Sequence, residues 1–216
     1  MVTTMEHLRL SGHIKMIFHQ NKFFSIFILL VLNGFCYSQS IDDWYGVELE
    51  KRLYPKIDTQ QVKEVLLFIA KPSFVDPEYS IRVLDKVNQT VLEVRLIEKN
   101  LWNELFRLRR QGIQDVSLKT DFFSIAISPS FRNRMLSTFQ RAIEINENRK
   151  KPSGPRFFDG TCYEFRVNEC GRISLIEINY ELEKSDIENC IAMTNYQIVN
   201  DVKSNLFEES KYEIYK

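Results

Sequence analysis

The stretch from Tyr79 to Glu98, "YSIRVLDKVNQTVLEVRLIE", decides the fold. Ile81 and Val83 alternate with Arg82, and Val94 and Leu96 alternate with Glu93 and Arg95 beyond a short polar break. A period of two places each apolar set on one face of an extended strand. Two such runs around a short turn predict a β-hairpin. Its tip carries Asn88-Gln89-Thr90, a formal N-glycosylation sequence that matters only in a eukaryotic secretory pathway.

Working outward, "KEVLLFIAKP" (Lys63–Pro72) is an apolar run of strand length stopped by proline, and "SFVDP" closes a turn at Pro77. Downstream, "NLWNELFRLRR" (Asn100–Arg110) spaces Leu101, Trp102, Leu105 and Leu108 as a helix does, and Gly112 marks its end. "DVSLKTDFFSIAIS" (Asp115–Ser128) returns to extended character. Ser128 then reads as an N-cap with Pro129 in the first helical position. Behind them Met135, Leu136, Phe139, Ala142 and Ile143 form one apolar stripe, and the helix frays in "NENRKKPSGP".

"RFFDGTCYEFRVNECGRISLIEINY" (Arg156–Tyr180) predicts a second hairpin with Tyr163, Phe165 and Val167 on one face and Cys162, Glu164 and Arg166 on the other. On the return strand the apolar parity slips after Leu175, as at a bulge or a strand covered on both faces. Its opening, "FFDGTCYEFRV", resembles a local pattern of small exported bacterial proteins, and that resemblance implies a hairpin rather than an activity. Ser185-x-x-Glu188 has the form of a capping box for a last helix carrying Ile187, Ile191, Thr194, Ile198 and Val202 inward. The order of elements lacks regular βαβ alternation. It predicts an α+β domain: a mostly antiparallel sheet with about three helices packed on one face.

The ends are read differently. Phe23 to Leu32 is an apolar run too short for a membrane-spanning helix, which needs roughly twenty residues, and of the length of a secretory leader's core, about 7 to 15. Lys15 and Lys22 precede it, and Cys36 and Ser38 supply small side chains at the −3 and −1 positions. Residues 1–38 are therefore expected to be a signal peptide cleaved between Ser38 and Gln39, with Met16 an alternative start to Met1. Phe35 stands where a small residue precedes a lipidated cysteine, which argues against an anchor on Cys36. Residues 39–61 read as an irregular segment with one helical turn around Val47 to Leu53, residues 62–207 as the α+β domain, and residues 208–216 as a loose charged tail.

This leader narrows the chemistry. His7, His13 and His19 are the chain's three histidines, and cleavage removes them all. A product without imidazole has no Ser-His-Asp or Cys-His mechanism and no histidine-ligated metal. Nor does the sequence contain a glycine-rich phosphate loop, a Cys-x-x-Cys, a Gly-x-Ser-x-Gly or a calcium-loop spacing, so no cofactor is expected. Asp159 stands beside a turn glycine with no second carboxylate to work with.

The formal charge is balanced, 29 basic against 29 acidic residues, which gives no general affinity for nucleic acid or an anionic membrane. Of the cysteines left after cleavage, Cys162 and Cys170 would lie over about 20 Å apart on one hairpin, against the roughly 6 Å a disulfide spans. Cys190 is left to pair with either or with neither.

Function is thereby narrowed but not named. The first expectation is an exported, periplasmic or secreted, non-enzymatic protein that binds a partner protein or a cell-envelope component, with no membrane span after processing. The alternative is a carboxylate-dependent hydrolase of envelope glycan. A third reading places an anion-binding face on Arg107, Arg110, Arg132 and Arg141, should their two helices lie side by side.

Overall fold

The computed structural model describes residues 42–57, 60–72, 76–113, 115–148, 161–168 and 186–216. The chain divides into two units, Met1–Gly46 and Val47–Lys216. Of the first, only residues 42–46 are described, and they are helical. The expected leader, its Ser38–Gln39 cleavage point, Cys36, Asp159, Cys170, Ser185 and the return strand of the second hairpin all lie outside the described residues.

The fold is α+β. Five strands, β1 (Val62–Lys71), β2 (Tyr79–Lys86), β3 (Gln89–Ile97), β4 (Thr120–Ile127) and β5 (Cys162–Val167), form one sheet in the order β4-β3-β2-β1-β5, and every neighbouring pair is antiparallel. The hairpin legible in the sequence is β2–β3. Lys86 pairs with Gln89, so the turn is Val87-Asn88 and the glycosylation sequence sits at its exposed tip. Strand β1 is an inner strand, between β2 and β5, and "VLLFIA" is buried without alternation, so both faces of the sheet are covered along it. A register shift between Glu64 and Leu66 marks a bulge there.

On the first face of the sheet, Leu66, Phe68, Ile81, Val83, Leu92, Val94, Phe165 and Val167 meet helices α3 (Pro129–Asn148) and α4 (Ile187–Lys203). The α3 stripe is buried as its spacing predicts, with Phe131 added. Ser128 caps it, its Oγ accepting from Phe131 N at 3.1 Å. Phe68 is the aromatic hub of this layer, edge-on to Phe165 (5.1 Å) and Phe139 (6.2 Å). For α4 the N-cap is Asp186, one residue beyond the expected Ser185, and Ile191, Ile198 and Val202 point inward as expected.

Helix α2 (Leu101–Arg110) follows β3. Its first turn is satisfied twice. Asn100 Oδ1 accepts from Asn103 N at 2.9 Å, and the buried Glu78 carboxylate accepts from Leu101 N at 2.7 Å. Gly112, at φ +68°, ends it in a Schellman motif in which Ile113 N donates to Leu108 O and Gly112 N to Arg109 O.

Two segments differ from expectation. The N-terminal segment is not irregular, because residues 42–53 form a helix, α1, of three turns. From Val47 on, Leu49 and Leu53 are both buried one turn apart, and Glu48 pairs with Arg52 at 2.9 Å on the next row. Burial of the two leucines, at about 1.5–3 kcal/mol each, outweighs the roughly 1 kcal/mol a helical glycine costs at Gly46.

Nor is the C-terminal tail loose. It makes two 3-10 turns, Glu209–Lys211 and Glu213–Tyr215, and buries Tyr212 and Tyr215 almost completely. Tyr215 packs edge-on to Phe131 at 5.7 Å and donates to Asn195 Oδ1 at 3.0 Å, while the Glu209 carboxylate accepts from Ser128 N at 2.6 Å. A tail of alternating charges and tyrosines is held by partners far away in sequence, which a local reading does not contain.

Among the described residues no helix is long and apolar enough to cross a membrane.

Candidate functional site

A cleft of about 570 Å³ opens between α4 and one end of the sheet. Its floor is one row across four strands: the register sets Tyr163 opposite Ala70, Ala70 opposite Tyr79, and Tyr79 opposite Leu96. Its other wall is the α4 face carrying Ala192, Met193, Tyr196 and Val199. The space exists because the central residue of the floor, Ala70, and its counterpart on the helix, Ala192, are both small. The flanking tyrosines stand up around that gap.

The wall is rigid where it is aromatic. Tyr163 stacks on Phe68 at 5.6 Å, and Tyr79 is tilted against both Phe68 (6.0 Å) and Tyr196 (6.2 Å). Burial pushes the Tyr79 phenol well above its ordinary range, with the neighbouring Tyr163 and Tyr196 adding to it, so it stays neutral. The lip is apolar and open to solvent: Met193 is 63% and Tyr196 55% exposed. Asp76 and Lys203 contribute one charge of each sign to the lining. Its chemistry is that of an apolar socket with a few hydrogen-bonding groups. This is the usual make-up of a small-ligand or side-chain pocket.

The four arginines of the expected anion face are placed as follows. Arg107 on α2 donates through Nε to Glu104 at 2.9 Å and through Nη1 to Gln111 at 2.9 Å, and Arg110 lies over the Phe106 ring at 4.7 Å. Arg132 on α3 is tied to Asp85 at 2.7 Å, and Arg141 is exposed further along that helix. The α2 leucines lie outside the core cluster that α3 helps to form. Cys162 and Cys190 are both half-buried. No group of three or more histidine, cysteine or acidic side chains suited to a metal occurs among the described residues.

Tyr196 and Met193 escaped the sequence reading because they fall off the inward stripe of α4, on positions that a surface helix usually gives to polar residues. Two large apolar side chains three residues apart on that side were the available signal. Tyr163 and Leu96 read only as apolar positions of alternating strands, and Tyr79 only as the first residue of its strand, until the register brings the three into one row. No family model, no curated protein and no solved structure matches this chain.

Proposed function

We propose that this chain is an exported, non-enzymatic binding domain that seats an apolar side chain of a partner protein in the cleft beside α4. The observation that carries the reading is the exposed pair Met193 and Tyr196 standing over the floor of Tyr163, Ala70, Tyr79 and Leu96. Protein interfaces concentrate their binding energy in pockets of this kind, where one aromatic or aliphatic anchor is fully desolvated. With Asp76 and Lys203 in the lining, the cleft has no net charge to recruit an anionic headgroup, and it offers one partner to each end of a peptide dipole. Export is supported by the leader-like sequence of residues 1–38.

The test uses Tyr196→Ala and Met193→Ala, both at exposed positions that leave the core intact. The neutral dye N-phenyl-1-naphthylamine should brighten on the native protein and lose most of that signal on the double variant. A partner captured from the native extracytoplasmic fraction should be retained at least about tenfold less by the variant, since an anchor pocket carries on the order of 2 kcal/mol or more. Equal dye binding and equal capture by both proteins would remove the cleft from the function.

A further inference from the structure

A second pocket, of about 650 Å³, opens on the other face of the sheet where α1 ends. It shares no residue with the cleft beside α4. Its base is Leu67 of β1, and Tyr54 stands at its side beneath the guanidinium of Arg166, 4.9 Å from the ring centre. Arg82, 4% exposed, reaches it from β2. Arg82 Nε donates to Glu64 at 2.6 Å and Nη1 to Pro55 O at 3.1 Å. Glu50, Lys56, Lys63 and Asn168 complete the polar lining.

From this arrangement we infer that the pocket is a saccharide site, selective for a sugar carrying one carboxylate. A bare oxyanion is a poor match, because it answers only the cations and leaves the half-buried Tyr54, Ile57 and Val62 of the lining uncovered. An apolar ligand is a poor match too, because it would cover the exposed polar ends of Lys56, Lys63 and Asn168 without offering them acceptors. Vicinal hydroxyls donate and accept at once, so a sugar ring satisfies a wall that carries guanidinium, carboxylate and carboxamide groups together.

The planar groups are already fixed. Glu64 holds Arg82, and Glu164, itself bound by Lys71 at 2.5 Å, holds Arg166. Preorganisation of this kind cuts the ordering cost of binding. The half-buried side chains of Tyr54, Ile57 and Val62 supply an apolar surface for the C–H face of the ring. The preference for an acidic sugar follows from the charges, since Lys56, Lys63, Arg82 and Arg166 outnumber the two lining acids.

Binding is read by ¹H–¹⁵N correlation spectra of the full chain titrated with D-glucuronate, D-glucose and inorganic phosphate in separate arms. Glucuronate should shift the amides of residues around Tyr54, Lys56 and Asn168 saturably. Glucose should bind the same residues about threefold to tenfold more weakly, and phosphate should not saturate. Lys56→Gln should bring glucuronate down to the glucose level and leave glucose unchanged, while Asn168→Ala should weaken both sugars. Both positions lie at the surface, so the fold is preserved. Phosphate binding as tightly as glucuronate would reduce the pocket to an anion site and overturn the inference. So would glucuronate shifts that persist in both variants, or no saturable shift with either sugar.

Discussion

Replacing Tyr215 with alanine removes a ring that is fully buried although it is the penultimate residue of the chain. That ring lies 5.7 Å from Phe131, edge-on, and 6.5 Å from Phe139, nearly stacked, and its hydroxyl donates to Asn195. Truncating a buried aromatic costs about 3–5 kcal/mol. Here the penalty is capped by an escape: a terminal segment can lift away and let water in, so the low end, about 3 kcal/mol, is expected. For a domain of this size that is a drop in Tm of about 10 °C.

The backbone ties from Arg134 to Tyr215 O and from Thr138 to Ile214 O use no atom that the substitution removes, so they oppose that lifting. Tyr215→Phe keeps the ring and strands Asn195 Oδ1, at about 1–2 kcal/mol. Guanidinium denaturation of the three proteins should give a falling midpoint at constant slope in the order native, Phe, Ala. An alanine variant within about 0.5 kcal/mol of native would mean that the tail is not part of the core, and the contact of Glu209 with Ser128 at the start of α3 would lose its support with it.

Three further outcomes are expected. Burial opposes ionisation of Asp85, but hydrogen bonds from Arg132 and Thr90 outweigh it and hold the carboxyl below its ordinary value. A depressed folded value stabilises above the unfolded pKa of about 3.9 and is lost as pH falls through the folded one, so Asp85→Asn should flatten the acid limb of stability below about pH 4. Identical acid limbs would refute this. Burial raises the phenols of Tyr79, Tyr212 and Tyr215, with Asp201 adding to the effect at Tyr212. Raised folded values leave stability intact below the unfolded pKa of about 10 and lose it above, so a cooperative alkaline transition should coincide with tyrosinate absorbance. Gradual ionisation without unfolding would contradict it. Arg82→Met breaks an ion pair with Glu64 and strands a carboxylate that water can partly reach, so about 2–3 kcal/mol should be lost, below the usual cost for a fully buried pair. Adding Glu64→Leu should recover most of it in chemical denaturation.

The strands of this fold were legible because the hairpin of Tyr79–Glu98 alternates on its own, and the helices α2, α3 and α4 because their stripes and end signals are local. What escaped was non-local. Helix α1 buries only two leucines, too few to stand out against Gly46 and Pro55. Burial of the C-terminal tyrosines depends on Phe131, Phe139 and Asn195, which lie far back in the chain. The floor of the cleft was hidden for a third reason. Tyr163, Ala70, Tyr79 and Leu96 come from four strands, and only the register shows that the smallest of them stands between two tyrosines.

The two faces of the sheet also divide the labour physically. One is closed by α3, α4 and the tail through apolar and aromatic contact, with α4 leaving a cleft at its edge. On the other, α1 is held mainly by polar ties. Ser80 donates to Leu53 O at 2.7 Å and Arg82 to Pro55 O, satisfying carbonyls that a helix end leaves unpaired, while Arg52 donates to Leu118 O and, at 2.7 Å, to Val116 O. Polar ties fix position without filling volume. A helix clamped by its last carbonyls and stopped by Pro55 therefore covers part of the charged face and leaves the remainder as a pocket whose arginines are already held in place. Arg82 and Glu93, the polar positions of the alternating hairpin, are themselves buried, and Arg82, which holds the end of α1 through Pro55 O, also shapes the space beside it.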